Sequence, residues 1–306
     1  MDRHSSRRCR RSAASWKAAA SGVACTQVAQ PDGEAFQREH NARAYRRADV
    51  VRRYQRRVLL DRAEAVVLLK HQSAFAGRDL LDVGVGTGRT TIYLAPLARR
   101  YQAIDYSPEM VARFRQNFPE VPVALADMAD LGTFEEASFD FVLATNNVLD
   151  AVGHADRLQA LREIRRVLRP DGMLVFSSHN RDVHGLGRRP ALQRSRNPVT
   201  QLAFSVHWCM KLVDRARLAH RQRFTDEYAI VNDGVHRVAM LYYCIGPGKQ
   251  QRQLADAGFE LQETFDKCGR SQPSAACVAD SEWLFYVATR IPDRDPPPMD
   301  ARSSKP

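Results

Sequence analysis

A short glycine-rich segment holds the residues of this chain that point most clearly to ligand chemistry. It reads Leu81-Asp82-Val83-Gly84-Val85-Gly86-Thr87-Gly88 and continues an apolar run that begins at Leu80. Glycines at such a turn supply unusual dihedrals and let the backbone approach a ligand closely. A dinucleotide fingerprint has the spacing G-x-G-x-x-G, whose third glycine would fall at position 89. Arg89 stands there, so the pattern argues against a nicotinamide cofactor.

The acidic residue and glycines at positions 82, 84, 86 and 88 resemble the first motif of the class I S-adenosylmethionine-dependent methyltransferases. Two more segments resemble that family, Phe139-Asp140-Phe141-Val142 and the stretch from Glu163 to Gly172. The resemblance covers about residues 75–180, with a compatible final strand pair that extends to about residue 290. It implies an enzyme that uses S-adenosyl-L-methionine as its cofactor.

The resemblance also implies roles for single residues around that cofactor. Asp105 would hold the ribose hydroxyls, because a carboxylate accepts charge-assisted hydrogen bonds from a diol. Asp127 would meet the adenine amino group with Met128 on the ring face, although a methionine beside a strand is equally a core residue. Asp82 would lie near the cofactor's amino group, directly or through water. The complete predicted cofactor set is Asp82, Gly84, Gly86, Gly88, Asp105, Tyr106, Met110, Asp127, Met128 and Asn146.

A base is needed for methyl transfer only where the attacking atom carries a proton that must leave. Ligands bind outside the carboxyl ends of parallel strands, and the polar residues expected at that edge are Asn147, Asp150, His154, His179 and Asn180. His179 directly follows the fifth strand and is the predicted catalytic base. A histidine that only hydrogen-bonds to the structure is the alternative. His184, His207 and His236 are further candidates.

Alternating strands and helices must position these residues. The pattern predicts strands at 80–85, 103–105, 121–125, 139–144 and 173–177 and helices at 43–72, 89–100, 108–117 and 157–168. Further along, it predicts a hairpin with its turn at Asn232-Asp233-Gly234, a helix at 249–257, and antiparallel strands at 259–265 and 283–289. With the resemblance, the expected fold is α/β: a doubly wound, mostly parallel seven-stranded sheet with an antiparallel last strand and an inserted helix/hairpin lid.

The same pattern divides the chain into six segments. We expect a disordered basic tail over 1–35, a helical cap over 36–76 and the cofactor-binding core over 77–180. An insertion that covers the substrate would follow over 181–248, then the last helix and strand pair over 249–291 and a disordered tail over 292–306. An over-long gene start would give the same N-terminal composition as a true tail.

Composition and charge narrow the function classes. The chain has 306 residues, 44% of them hydrophobic and 26% charged, which is typical of globular proteins. No apolar run is long enough for a membrane span, and six scattered cysteines predict no metal site. The net charge of +11 is concentrated in residues 1–57 and 181–224, and the remainder is slightly acidic. A basic insertion over the cleft would favour an anionic acceptor.

Methyl transfer to a small-molecule acceptor in the cytoplasm is therefore the predicted function. No Asn/Asp-Pro-Pro-aromatic motif follows strand four, where Thr145-Asn146-Asn147-Val148 stands instead, and no Pro-Cys pair is present. These absences argue against nucleic acid as the partner. The alternatives are an RNA methyltransferase that holds phosphates with the basic segments, a nicotinamide-dependent oxidoreductase, and a non-catalytic binder on the same fold. The oligomeric state is left open.

Overall fold

A computed structural model describes residues 31–56, 58–187, 192–232 and 240–292. The α-helices in this part of the chain are α1 Pro31–Tyr45, α2 Ala48–Gln55, α3 Arg62–Lys70, α4 Thr91–Leu94, α5 Pro108–Asn117, α6 His154–Val167, α7 Pro198–Leu218, α8 Pro247–Asp256 and α9 Ala275–Ala279. The strands are β1 Asp79–Val83, β2 Arg100–Asp105, β3 Val123–Leu125, β4 Phe139–Ala144, β5 Leu168–Asn180, β6 Arg223–Phe224, β7 Tyr228–Asn232, β8 Leu241–Ile245, β9 Phe259–Phe265 and β10 Trp283–Arg290.

All of these strands belong to one sheet in the order β3-β2-β1-β4-β5-β8-β7-β6, and β10 pairs with β5 and β9. Strands β1 to β5 pair in parallel, whereas β10 runs antiparallel to both of its neighbours. The predicted doubly wound, mostly parallel α/β sheet with an antiparallel last strand is thereby confirmed. The carboxyl ends of β1, β2, β4 and β5 meet at one edge, where the predicted site residues lie.

The sheet is larger than the seven strands expected, because the predicted hairpin is part of it. Strand β8 pairs in parallel with the end of β5 at His179 and Asn180, and β7 and β6 follow in antiparallel order. Strand β4 pairs with β5 only as far as Phe176, so β8 takes up the pairing after β4 has ended. The hairpin therefore extends the sheet at the site edge rather than lying over it as a separate lid.

Hydrophobic residues cover both faces of the central strands. In β4, Phe141 packs with Phe75 and Phe285 on one face, while its neighbour Val142 packs in a second cluster with Phe176 on the other face. Successive side chains of a strand point to opposite faces, so a run that is apolar throughout requires cover on both sides. This burial explains why β1, with the sequence Asp-Leu-Leu-Asp-Val, is buried at every position.

The N-terminal helical region differs from the single helix predicted over 43–72. It consists of α1, α2 and α3, and α1 begins at Pro31, inside the predicted tail. A new helix starts after Asp61 because its side chain and that of Glu64 cap each other's backbone N–H groups, which is the capping-box arrangement. The Asp-x-x-Glu spacing is the sequence signal that marks this helix start.

Some of the other predicted helix and strand boundaries agree with the structure, and others differ from it. Helix α5 and strand β4 match their predictions, and Ser107 caps α5 by accepting a hydrogen bond from the Met110 N–H at 3.3 Å. The helix predicted over 89–100 is wrong: α4 ends at Leu94, before Pro96, and Arg100 already begins β2. Strand five was predicted too short, since β5 begins at Leu168.

Some predictions fall outside the described residues. These are the tail up to residue 30, most of the hairpin turn after Asn232, and the C-terminal tail after residue 292. Within the described ranges, the structure contains no helix of the length and apolarity that a bilayer crossing requires.

Candidate active site

Two glycines of the β1–α4 loop, Gly86 and Gly88, have different structural roles. Gly86 has φ +60°, and a Cβ placed on it would meet only Tyr54 Cδ1, at 3.9 Å, so its surface faces open space. Gly88, with φ +96°, is packed against the Phe118 ring and has no room for a side chain. The left-handed dihedrals favour glycine at both positions. Gly86 is thus the residue that brings the backbone to a cavity, and Gly88 lets the loop pack on α5.

Asp105 at the end of β2 is buried and joins this loop to the next strand. Its Oδ2 accepts the Gly86 N–H at 2.8 Å, and its Oδ1 accepts the Ser107 N–H at 2.9 Å. Burial raises the pKa of Asp105 to about 6, against the opposing effect of these backbone donors. A carboxylate has about four acceptor positions, so both oxygens retain capacity for a ligand.

Asp82 stabilises the loop from inside the protein. Its Oδ2 accepts hydrogen bonds from Thr90 Oγ1 at 2.5 Å and Tyr101 Oη at 2.6 Å, and burial raises the pKa of Asp82 to about 6. The adjacent Arg89 forms an ion pair with buried Glu64. The position that lacks the third glycine of a dinucleotide fingerprint is therefore occupied by a residue that anchors α3.

A narrow cavity of about 60 Å³ lies above Gly86. Eight of the ten predicted cofactor residues line it, and Asp82 and Gly88 do not. The predicted residues on its wall are Gly84, Gly86, Asp105, Tyr106, Met110, Asp127, Met128 and Asn146. Met128 is also part of the hydrophobic core, as the alternative interpretation of this residue expected.

Helices α1 and α2 close the outer side of this first cavity. Tyr45 and Tyr54 line it, and the ring centroid of Tyr45 lies 5.9 Å from that of Tyr106. Arg38 on α1 forms an ion pair with Asp127, the residue predicted to meet adenine. The sequence did not reveal this pair, because its partners are 89 positions apart. We infer that Arg38 holds the Asp127 carboxylate toward the cavity from the solvent side.

A second, larger cavity of about 650 Å³ adjoins the first. Tyr45 and Asn146 line both cavities and so form the boundary between them. Four aromatic residues are among those that line the second cavity: Tyr45, Tyr242, Trp283 and Phe285. Planar rings of this kind favour stacking with a planar ligand.

His179 lies on the wall of the second cavity in a defined orientation. Its Nδ1 is 2.7 Å from Asp150 Oδ2, and its Nε2 is 3.3 Å from Asn147 Nδ2. Because the carboxylate accepts, Nδ1 carries the proton of the neutral ring, and Nε2 carries the lone pair. Asn147 is consistent with this tautomer, since its amide N–H donates to Nε2. The arrangement presents a basic nitrogen at this edge.

A buried network fixes Asp150. The carboxylate also accepts hydrogen bonds from Arg157 Nη1 at 2.5 Å, Ser178 Oγ at 2.7 Å and the His179 N–H at 2.6 Å. Both Asp150 and Arg157 are fully buried, and Ser178 Oγ and two glutamines of α8 accept further hydrogen bonds from Arg157. The ion pair therefore holds a negative charge beside the imidazole inside the protein. Sequence reasoning placed Asp150 at this edge without a role and missed Arg157 entirely.

Two consecutive asparagines after β4 have left-handed backbones. Asn146 and Asn147 have φ of 58° and 59°. Such conformations cost free energy in residues other than glycine and are concentrated at functional sites. The Oδ1 of Asn147 is buried and accepts no hydrogen bond within the described structure. A buried acceptor of this kind beside His179 is suited to an N–H or O–H donor from a ligand.

The remaining sequence candidates are scattered. His184 lines the second cavity, His207 lies on α7 away from it, and His236 is outside the described residues. Within the described residues, the basic segment 181–224 contributes no lysine or arginine to the cavity wall. The charged side chains there are Arg53, Asp61, Asp280 and Glu282.

Comparison with known proteins identifies the fold that carries this site. Residues 81–176 match a family model described as a methyltransferase domain. These residues are a class I S-adenosylmethionine-dependent methyltransferase domain. The match runs from β1 into β5 and so contains the glycine loop, Asp105 and Asn146.

Curated relatives agree with the domain assignment. A probable S-adenosylmethionine-dependent methyltransferase of Mycolicibacterium smegmatis is 34% identical over 128 residues, which are 42% of this chain and 48% of the relative. A protein of the same description from Mycobacterium tuberculosis is also 34% identical over 128 residues, 45% of its length. The chain thus spans about half the length of the curated relatives it matches.

Solved structures share the fold at low sequence identity. A Clostridium acetobutylicum S-adenosylmethionine-dependent methyltransferase superposes with a TM-score of 0.53 at 13% identity, covering 76% of this chain and 92% of the other. A Burkholderia thailandensis 1,6-didemethyltoxoflavin-N1-methyltransferase, solved with 1,6-didemethyltoxoflavin and S-adenosylhomocysteine, superposes with 0.54 at 18%, covering 88% and 94%.

The residues of the first cavity of this methyltransferase domain fit the cofactor of its family. Gly86 offers a surface without a side chain, and the carboxylates of Asp105 and Asp127 face the same space. Tyr106 and Met110 supply apolar surface for an adenosine ring. The two carboxylates can accept hydrogen bonds from a nucleoside, and the Gly86 backbone leaves space beside them. The residues on this wall therefore suit S-adenosylmethionine.

Proposed function

We propose that this protein transfers a methyl group from S-adenosylmethionine to a small molecule whose attacking nitrogen or oxygen carries a proton. The observation that carries the proposal is the His179–Asp150 pair, with Nδ1 and Oδ2 2.7 Å apart, on the wall of the second cavity. A methyl acceptor that is already unprotonated would need no such base. The neighbouring orphaned Oδ1 of Asn147 supports the same class of acceptor.

In this proposal the first cavity widens from its about 60 Å³ by outward movement of α1 and α2 to admit the cofactor, and the second cavity holds the methyl acceptor. When bound, S-adenosylmethionine supplies an electrophilic methyl group on a sulfonium centre. His179 Nε2 would exchange its hydrogen bond from Asn147 Nδ2 for the proton of the acceptor atom, while that atom forms its bond to the methyl carbon and the carbon–sulfur bond breaks. Asp150 would stabilise the resulting imidazolium. Tyr45 and Asn146, on the boundary, orient the two ligands, and closure by α1 keeps water from the reacting atoms.

The cavity walls favour a planar acceptor of moderate size. About 650 Å³ lies within the range of small-molecule sites, and four aromatic residues on the wall offer surfaces for stacking. The Burkholderia neighbour, which shares only the fold, is named a 1,6-didemethyltoxoflavin-N1-methyltransferase. RNA is the less favoured partner, because the described cavity wall carries one arginine and three acids.

The test combines binding with transfer of label. S-adenosylhomocysteine should bind in calorimetric titration, and NAD(H) should not. Gly86→Val should abolish binding, whereas Gly77→Val should retain it, because Gly77 shares the left-handed φ but has no atom within 4 Å of its added Cβ.

Transfer is followed with methyl-labelled S-adenosylmethionine offered alongside either a low-mass metabolite fraction or total RNA. Label in a low-mass product that depends on Gly86 and His179 supports the proposal. Label in RNA would support the alternative, and the absence of transfer with intact binding would indicate a non-catalytic binder.

A further inference from the structure

Helix α7 carries an apolar stripe that faces solvent along most of its length. The members of the stripe follow three- and four-residue spacing and are 49–76% exposed: Val199, Leu202, Val206, Met210 and Val213. Leu218 is the only residue of α7 that is buried. The stripe is about 21 Å long at ~1.5 Å per residue, and an apolar surface of this extent is typical of an interaction site.

Arginines flank the stripe at both ends. Arg194 and Arg196 are exposed in the loop before α7, and Arg217 continues the stripe one turn after Val213. Arg221 is also exposed, with its guanidinium 4.3 Å from the centroid of the Phe36 ring. The only acidic residue of α7 is Asp214, which lies beside the stripe. The exposed surface therefore combines aliphatic side chains with positive charge.

These features distinguish between possible occupants. A second copy of this helix would bring flanking arginines close to one another in either orientation, so like charges would oppose pairing. Hot spots of protein interfaces are enriched in Trp, Tyr and Arg in well-packed pockets, whereas the exposed stripe between the arginines consists of aliphatic residues and methionine. A lipid surface needs no shaped anchor, and its phosphates complement the arginines.

We propose that α7 docks this protein on the surface of an anionic bilayer. The stripe enters the boundary between headgroups and acyl chains, and the arginines contact lipid phosphates. The helix lies in the plane of the surface, in agreement with the lack of any bilayer-crossing helix in the described residues. This inference is independent of the proposed methyl transfer, since it concerns a surface that contributes no residue to either cavity.

The test is vesicle flotation of the full chain with phosphatidylcholine vesicles and with vesicles that also contain phosphatidylglycerol. The wild type should float with the anionic vesicles and much less with the neutral ones. Leu202→Ser/Met210→Ser should lower the partition coefficient at least about tenfold. Arg194→Gln/Arg196→Gln/Arg217→Gln should lower it by about fivefold per arginine, and the difference should shrink as salt increases.

A matched control separates the stripe from general hydrophobicity. Leu69→Ser/Leu125→Ser removes two leucines that are 73% and 55% exposed elsewhere, compared with 67% and 55% for Leu202 and Met210. This control should float like the wild type, and circular dichroism should report the same helix content for both variants.

Two results would overturn the inference. If the stripe variant floats as well as the wild type, binding arises from other basic segments, such as the six Lys/Arg of residues 1–30. If the wild type does not float with anionic vesicles, the stripe binds another partner. Light scattering would identify that partner as a second copy if the wild type is a dimer and Leu202→Ser/Met210→Ser is a monomer.

Discussion

His179 and Asp150 form a hydrogen-bonded pair, with Nδ1 and Oδ2 2.7 Å apart. The carboxylate is fully buried and is balanced by Arg157 on its far side. The imidazole therefore has one nitrogen fixed by the protein and one at the cavity edge, next to Asn147. This polarity makes His179 suited to accept a proton rather than only to support the fold.

Replacing His179 should affect turnover and not cofactor binding. For His179→Ala we expect kcat with the identified acceptor to fall by about 10²- to 10⁴-fold, the usual contribution of a general base. Affinity for S-adenosylhomocysteine should stay within about twofold. His184→Ala is the control, since His184 lines the same cavity without the Asp150 contact. Equal activity of the two variants would remove His179 from the base role.

Breaking the buried ion pair should destabilise the whole domain. Arg157→Met leaves Asp150 charged in the interior without its guanidinium partner, which should lower the free energy of unfolding by about 3–5 kcal/mol. Arg162→Met is the control, because Arg162 is exposed on the same helix. Urea unfolding measures both variants. The double variant Arg157→Met/Asp150→Asn should lose less than the sum of the single losses, and strict additivity would argue against the coupling.

Cofactor affinity should depend on pH through Asp105. Its pKa of about 6 means that the carboxylate is charged above that value and protonated below it. Affinity for S-adenosylhomocysteine should therefore be constant above pH ~6 and weaken by up to about tenfold per pH unit below it. Asp105→Asn should remove this dependence and weaken binding by about 10- to 150-fold at pH 8, for a loss of ~1.5–3 kcal/mol. Calorimetric titrations over pH 5–8 would check both.

Asp82 and Asp79 should contribute to the free energy of unfolding with opposite dependences on pH. Asp82 has a pKa of about 6, above the ordinary 3.8, so its contribution to stability is complete below about pH 4 and is lost as pH rises through 6. As pH rises from about 4 to above 6, the free energy of unfolding of Asp82→Asn should increase by up to ~3 kcal/mol relative to that of the wild type.

Asp79 is the control of opposite sign. The Arg99 guanidinium lowers the pKa of Asp79 to about 2, so its contribution is present above pH ~4 and is lost as pH falls through 2. Asp79→Asn should therefore lose stability relative to wild type as pH rises from 2 to 4. Urea unfolding from about pH 2 to about pH 7 covers both windows, and parallel pH dependences for the two variants would contradict the assignment.

Local signals explain how much of the site could be predicted. The glycine loop, Asp105 and Asn146 each lie within a few residues of a strand end, and parallel strands bring such ends to one edge. The family resemblance, which these local motifs carry, therefore predicted ten cofactor residues, of which eight line one cavity. Asp82 and Gly88 belong to the same motif, but their side of the loop packs against Tyr101 and Phe118 instead.

Other contacts could not be predicted because their partners are far apart in the chain. Arg38 meets Asp127 across 89 positions, and Arg157 meets Gln253 across 96. No periodicity or spacing records such pairs, since they depend on how α1 and α8 pack against the sheet. The failed helix predictions have a different origin: the patterns over 43–72 and 89–100 ignored the capping box at Asp61 and the helix-breaking Pro96.

The amino-acid sequence by itself determined the α/β alternation, the glycine loop and the family of this domain, because each is encoded in neighbouring residues. Only the tertiary structure decided that the hairpin extends the sheet, that Asp150 orients His179, and that the stripe of α7 is exposed. The same apolar spacing on α7 would suit a buried helix. Whether such a face is covered depends on what packs against it, and periodicity reports the face but not its partner.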